Sequence, residues 1–223
     1  MAKVITYKGK SSHAGGAPHE GINAQYAAML GLQACNDLRE TLQEKDTIRF
    51  HPIMKGVNCA VNIIPDEMVI ESYVRGSNIE AMKRENKKFN RALAGAAAAI
   101  GCELHIDDKP GYSPEIHDVA YMQLVEEVCK DLAGADRVNF EYDSWSTGSS
   151  DFGDLTCVMP GIQFTSAGAS GTAHGINYYL TDPERLLINS VKAQLLDAIG
   201  DFILDRDVVE YEENGNVKLN LAK

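Results

Sequence analysis

Glu67-Met68-Val69-Ile70-Glu71-Ser72-Tyr73-Val74-Arg75-Gly76-Ser77-Asn78-Ile79-Glu80 decides the fold of this chain, because a strand pattern runs straight into a helix start. Met68, Ile70 and Val74 alternate with Glu71, Tyr73 and Arg75, the period of a half-buried strand, so Arg75 points away from the helix-covered face. Ser77 with Glu80 three residues on reads as a capping box. The helix it opens lines up Met82, Phe89, Leu93, Ala97 and Ile100 before Gly101 closes it.

Upstream, Val4-Ile5-Thr6-Tyr7 reads as a strand, and residues 21–43 as a helix with Tyr26, Leu30, Ala34, Leu38 and Leu42 on one apolar stripe and Met29 beside it. Residues 47–54, with Ile48, Phe50 and Ile53, supply another strand, and Glu103-Leu104-His105-Ile106-Asp107 the last. The order β-α-β-β-α-β is the split βαβ, or ferredoxin-like, arrangement, with one bare sheet face and two free edges. Lys109-Pro110-Gly111-Tyr112 is a turn and the expected boundary, giving a first domain over 1–111 and a second over 112–223.

The second part predicts a helix carrying Val119, Met122, Val125, Cys129 and Leu132, and strands at Val138-Asn139-Phe140 and Gly161-Ile162-Gln163-Phe164-Thr165. A long helix follows, capped by Thr181 or Asp182 with Pro183 at its first position, and expected to bury Leu187, Val191, Leu195, Ala198 and Phe202. Two strands and two helices do not close an α/β core, so this half reads as part of a larger sheet. Residues 208–221 read as a small hairpin around Asn214-Gly215 or as a fraying end.

With 223 residues, 44% apolar and 24% charged, the composition is that of a globular protein. A net charge of −11, with no basic stripe, argues against nucleic-acid and anionic-membrane partners. No run of about 18 uncharged apolar residues occurs. The N-terminus leads into a strand rather than a signal-peptide core, so the expected location is the cytoplasm. Five scattered cysteines without a Cys-x-x-Cys pair favour neither a disulfide framework nor a structural zinc site.

Three places could carry chemistry. His13 sits at a strand end, in a segment where Gly15, Gly16 and Pro18 break regular structure; residue types alone would make it a solvated turn. Asn62 and Arg75 lie 13 residues apart on neighbouring stretches of one sheet, and are expected to converge with His13. A guanidinium grips a carboxylate bidentately, an amide adds a donor and an imidazole can meet an oxyanion. Taken singly, the latter two are an exposed strand arginine and a turn asparagine. His174 follows the flexible run Gly168-Ala169-Ser170-Gly171-Thr172-Ala173, where backbone N–H groups can approach an anion, and Gly171 is placed at the substrate. Its plainer reading is a loop histidine bonded to a carbonyl. Asp151 and Asp154 could bind metal, orient a histidine or cap a helix, and are not assigned as ligands.

Gly9-Lys10-Ser11-Ser12-His13-Ala14, then Asn62-Ile63-Ile64-Pro65 with Arg75, then Gly171-Thr172-Ala173-His174-Gly175, resemble the metal-dependent aminoacylase and carboxypeptidase G family, metallopeptidase family 20. The nearest branch is that of the indole-acetyl-amino-acid and aminobenzoyl-glutamate hydrolases. The resemblance implies a lid and dimerisation domain followed by the C-terminal part of a metal-bearing catalytic domain. It implies that His174 is a metal ligand, that Asn62 and Arg75 grip the substrate carboxylate, and that His13 meets the oxyanion, often in the partner subunit's site. The family's His-x-Cys-Gly-His-Asp motif does not occur, so the N-terminal catalytic segment that carries the family's Glu-Glu pair is not matched. Met1 falls in the family's mid-course, which implies an internal start, a truncation or a split gene.

The expected protein is therefore a metal-dependent amidohydrolase acting on N-acyl or aminobenzoyl amino acids, inactive as this chain alone. Its divalent metal would be zinc first, with manganese, cobalt or nickel as other candidates. Expected partners are a second copy bound through the lid and a complementary N-terminal catalytic chain. The rival reading is a non-catalytic dimerising or carboxylate-binding module.

Overall fold

A computed structural model describes residues 1–56, 59–143, 145, 148–195, 209–211 and 217–219. The chain divides into two units: Met1–Glu115 with Trp145–Cys157, and Ile116–Ser144 with Val158–Lys223.

The first unit is built on β1 (Ala2–Lys8), α1 (Ala24–Asp37), β2 (Arg49–Phe50), β3 (Ile53–Gly56), β4 (Glu67–Arg75), α2 (Ile79–Ile100) and β5 (Glu103–Lys109). The strands lie in the order β2-β4-β1-β5, all antiparallel, with β3 also on β4. This is the ferredoxin-like order, and the fold is mixed α/β as expected. The strand read over 47–54 is broken in two at Pro52, which has no N–H for the ladder. Its register survives the break, since Arg49 and Phe50 face Arg75 and Val74 while Ile53 and Met54 face Glu71 and Ile70.

Both helices cover one face of the sheet. Ile5, Tyr7, Ile70 and Val74 from the strands meet Ala27, Ala28 and Cys35 of α1 and Met82, Phe89 and Leu93 of α2. Phe89 stacks on Phe50, ring centroids 4.7 Å apart. The first half of the stripe expected on α1 is not the buried one: Tyr26, Met29 and Leu30 are 60%, 50% and 41% exposed, whereas Leu38 and Leu42, just past the helix end, pack against the core. Ala24, Ala27, Ala28, Gly31 and Cys35 face inward instead. The cause is close approach. A Cβ on Gly31 would lie 2.3 Å from the Tyr7 hydroxyl and 3.2 Å from Leu93 Cδ2, so only small residues fit and the large ones turn outward. The start of α2 also differs by one residue. Asn78, not Ser77, is the cap, its Oδ1 accepting from the Ala81 amide at 2.7 Å, while Ser77 Oγ donates to the Lys45 carbonyl. Gly101 closes the helix at φ 89° as expected.

An ionic cluster around the buried Lys3 ties β1, β5 and α2 together. Lys3, 1% exposed, donates from Nζ to Asp108 and to Asn90, and Asn86 and Asn90 donate to the other Asp108 oxygen at 2.7 and 2.9 Å. Burial lowers the Lys3 pKa, against the pull of Asp108.

In the second unit α3 (Val119–Ala133) is capped by Asp118, whose Oδ1 accepts from the Tyr121 amide, and it buries Met122 and Val125. The strands expected at 138–140 and 161–165 do not form, because neither segment has a ladder partner among the described residues. A short antiparallel hairpin joins β6 (Ala169–Ser170) to β7 (Tyr179–Leu180), and β8 (Val209–Tyr211) pairs with β9 (Val217–Leu219), as the 208–221 hairpin reading expected. Asp182 caps the segment 184–195, accepting from the Arg185 amide at 3.0 Å. Its expected apolar face is not buried: Leu187, Val191 and Leu195 are 56%, 53% and 56% exposed, since among the described residues this unit's strands form only two-stranded hairpins. Ala198 and Phe202, like Asn214 and Gly215, lie outside the described residues. Among those described, no helix is long and apolar enough to cross a membrane.

Candidate functional site

Beyond the Lys8 and Glu67 ends of β1 and β4, the two segments stay zipped by loop contacts rather than by regular ladder. Gly9 N–H donates to the Asp66 carbonyl at 2.7 Å, Ile64 N–H to Ser12 at 2.9 Å and Ala14 N–H to Asn62 at 3.0 Å. His13 and Ile63 form an isolated bridge. His13 and Asn62, both exposed, thus sit side by side at one end of the sheet. Gly21 allows this packing, since a Cβ there would stand 2.6 Å from Ser12 Oγ and 2.7 Å from Ile64 Cδ1. The His13 ring is fixed by its own loop: Nδ1 accepts from the Gly15 and Gly16 amides at 3.2 and 2.9 Å. Sequence reading treated those glycines as turn formers and missed this role; their place two and three residues after the histidine was the only signal.

Arg75 does not join them. Asn62 precedes the first residue of β4 and Arg75 is the last, paired with Arg49 and next to Tyr73, which faces Ala2. Eight residue steps of strand separate Glu67 from Arg75, about 26 Å at 3.3 Å per step. The expectation that a 13-residue spacing lets the pair converge fails because most of the intervening segment is the strand β4, Glu67–Arg75. At its own end Arg75 lies over the Tyr73 ring, 5.2 Å from guanidinium carbon to centroid. It lines a cavity of about 660 Å³ with Tyr73, Tyr112, Trp145 and Asp154. Asp154 does not cap the short α4 (Phe152–Thr156); its carboxylate accepts from the Ser113 amide at 2.8 Å, which holds its pKa below the usual value.

His174 and Gly171 lie in the hairpin between β6 and β7, in the second unit. Gly171 has φ 100°, and a Cβ on it would meet the Asn177 carbonyl oxygen at 2.0 Å, so glycine is required. His174 is exposed and left-handed, φ 65°, a conformation uncommon for residues with a side chain. Among the described residues no three His, Cys, Asp or Glu side chains gather as a metal site. A catalytic metal takes about three protein ligands, so the residues present do not by themselves fit one.

The first unit is thus a ferredoxin-like domain with a loop-held histidine and an asparagine at one end of its sheet and an arginine at the other. The chain matches the peptidase dimerisation domain of metallopeptidase family 20 over residues 2–100. It is 32% identical over 166 residues to the Xaa-Arg dipeptidase of Mus musculus, covering 71% of this chain and 37% of that protein. It is 28% identical over 146 residues to a p-aminobenzoyl-glutamate hydrolase homolog of Haemophilus influenzae, covering 62% and 32%. Among solved structures, a hydantoinase/carbamoylase-family amidase from Burkholderia phymatum superposes with a TM-score of 0.65 at 15% identity, over 91% of this chain and 48% of that one. Aminopeptidase PepT from Bacillus cereus gives 0.59 at 19%, over 89% and 50%. These structures share the fold. The chain spans well under half the length of the curated relatives it matches.

Proposed function

We propose that this chain provides the lid and the C-terminal part of the catalytic domain of a cytoplasmic, metal-dependent amidohydrolase that releases an amino acid from an N-acyl, aminobenzoyl or dipeptide substrate. The observation that carries the reading is that the His13–Ile63 bridge and the Ala14–Asn62 backbone hydrogen bond hold His13 and Asn62 at one end of the sheet, in a peptidase dimerisation domain. His13 would donate to the oxyanion that forms when water adds to the amide carbonyl, and Asn62 would orient the substrate beside it. Arg75 would grip the product-side carboxylate. His174 is proposed as one metal ligand, zinc being the first candidate, with Gly171 at the substrate; no step is drawn through the metal. The exposed Leu187, Val191 and Leu195 face fits a larger sheet to which a complementary N-terminal catalytic chain or segment contributes.

Arg75 and His13 of one lid stand too far apart for one amino-acid substrate, so they serve different sites of a homodimer. The chain leaves β5 at Lys109, opposite Ala2 and hence at the Arg75 end, and the Arg75 cavity is walled by Trp145 and Asp154 of the same chain. Arg75 therefore works in its own subunit's site and His13 with Asn62 in the partner's. The surface proposed for pairing is the edge β3, exposed from Ile53 to Gly56, with the outer face of α1. The test is hydrolysis of Xaa-Arg dipeptides, p-aminobenzoyl-glutamate and N-acetyl amino acids, with metal analysis. Turnover and stoichiometric metal are expected when the complementary catalytic segment is supplied, and neither from the 223-residue chain alone. No turnover on any of the three with metal bound would favour the rival carboxylate-binding module.

A further inference from the structure

We infer that the backbone amides of Gly15 and Gly16 are positioning groups that lock His13 into one tautomer, with its single ring proton on Nε2. A neutral imidazole has one donor nitrogen and one acceptor nitrogen, and what surrounds one nitrogen decides the state of the other. Two N–H groups converge on Nδ1 at 3.2 and 2.9 Å. A proton on Nδ1 would face two further donor hydrogens, so Nδ1 keeps its lone pair and Nε2 carries the hydrogen. The loop closes over its own histidine, since Ala17 N–H donates to the His13 carbonyl at 3.0 Å and Ser12 Oγ to the Ala17 carbonyl at 2.8 Å. Nε2 makes no hydrogen bond among the described residues, and His13 is exposed.

The chemical consequence is a choice among roles. A His13 with its proton on Nε2 presents a donor outward, suited to an oxygen gathering negative charge. It cannot take a proton at Nε2 as a general base, and cannot bind a metal there without losing the proton. The glycines suit the task because the ring lies against them: a Cβ on Gly16 would stand 3.4 Å from Nδ1, and one on Gly15 3.7 Å from Cε1. The inference rests on the proposed oxyanion role for its meaning in catalysis, but the tautomer is a property of this chain alone.

The experiment is ring-¹⁵N NMR of the 223-residue chain above the histidine titration range, with the His13 signals assigned by their loss in H13Q. The expected spectrum shows Nδ1 unprotonated and scalar-coupled to the Gly16 amide nitrogen, and Nε2 protonated. A proton on Nδ1, or the tautomer mixture of a free imidazole, overturns the inference. G16A keeps the N–H and should keep the coupling, whereas G16P removes it and should admit the Nδ1–H form; a ring still fully locked in a folded G16P overturns the part given to Gly16. If the tautomer is found as expected while H13Q leaves turnover of the assembled enzyme unchanged, the oxyanion reading fails and the positioning inference stands.

Discussion

Mixing two crippled lids should restore a working enzyme. Let one protomer carry His13→Ala and the other Arg75→Ala, each in the assembled, active protein. Removing an oxyanion donor lowers kcat by about 10² to 10³, and removing Arg75 chiefly weakens substrate binding, because a carboxylate is held in ground and transition states alike. Neither homodimer then contains a complete site. On the proposed division, which the separation of about 26 Å between the two ends of β4 motivates, Arg75 serves its own subunit's site and His13 the partner's. A mixed dimer therefore has one site with both groups intact and one with neither. Random exchange at equal amounts makes about half the dimers mixed, each with one good site of two, so activity should recover to about a quarter of the unmutated value. The assay is steady-state hydrolysis at low substrate before and after exchange, with mixed dimers counted by native mass spectrometry. Recovery absent despite confirmed exchange would refute the division of the lid between two sites and return both residues to a single one.

Asp108→Ala should destabilise the first unit by about 3 kcal/mol in urea unfolding, because it strands the buried Lys3 ammonium, whereas Lys3→Met should cost less, because Asp108 keeps its hydrogen bonds from Asn86 and Asn90 and part of its contact with water. Burial works to raise the Asp108 pKa, but hydrogen bonds from Lys3, Asn90 and Asn86 outweigh it and hold it below the usual carboxylate value. Its stabilisation is thus fully present above the unfolded pKa, about 4, and is lost as pH falls through the lower folded value; the urea midpoint should drop in that window, and less in Asp108→Asn. Gly31→Ala should cost about 1–3 kcal/mol in thermal or urea unfolding, since its Cβ would meet Tyr7 and Leu93. If the chain pairs as proposed, Tyr26→Glu with Met29→Glu should convert that dimer to monomer in light scattering without loss of helix content, as both side chains are exposed on the outer face of α1.

The lid was legible because its signals are local: Met68, Ile70 and Val74 mark β4, Gly101 ends α2, and the element order does the rest. Where reading failed, tertiary contact decided. The alanine face of α1 was hidden by the larger Tyr26, Met29 and Leu30, since apolar size says nothing of how closely a helix must approach Tyr7 and Leu93. Asn62 and Arg75 were identified with their chemistry, but a residue spacing does not tell a bend from a straight strand, so their convergence was misjudged. In the second unit, strand patterns at 138–140 and 161–165 and the apolar face of 184–195 were visible, yet a strand needs a partner and a face needs a counterpart.

The break at Pro52 also bears on how many copies assemble. A continuous bare strand is an open template on which chain after chain could add, whereas here the margin offers Ile53–Gly56, only four residues long, beside a position without an amide hydrogen. The opposite margin, β5, bristles with Glu103, Asp107, Asp108 and Lys109. A window that short accommodates one visitor, and a two-fold pairing uses both visitors' windows at once, leaving nothing to propagate. On the proposed pairing through β3, the proline that interrupts the ladder favours a closed pair over a growing fibre.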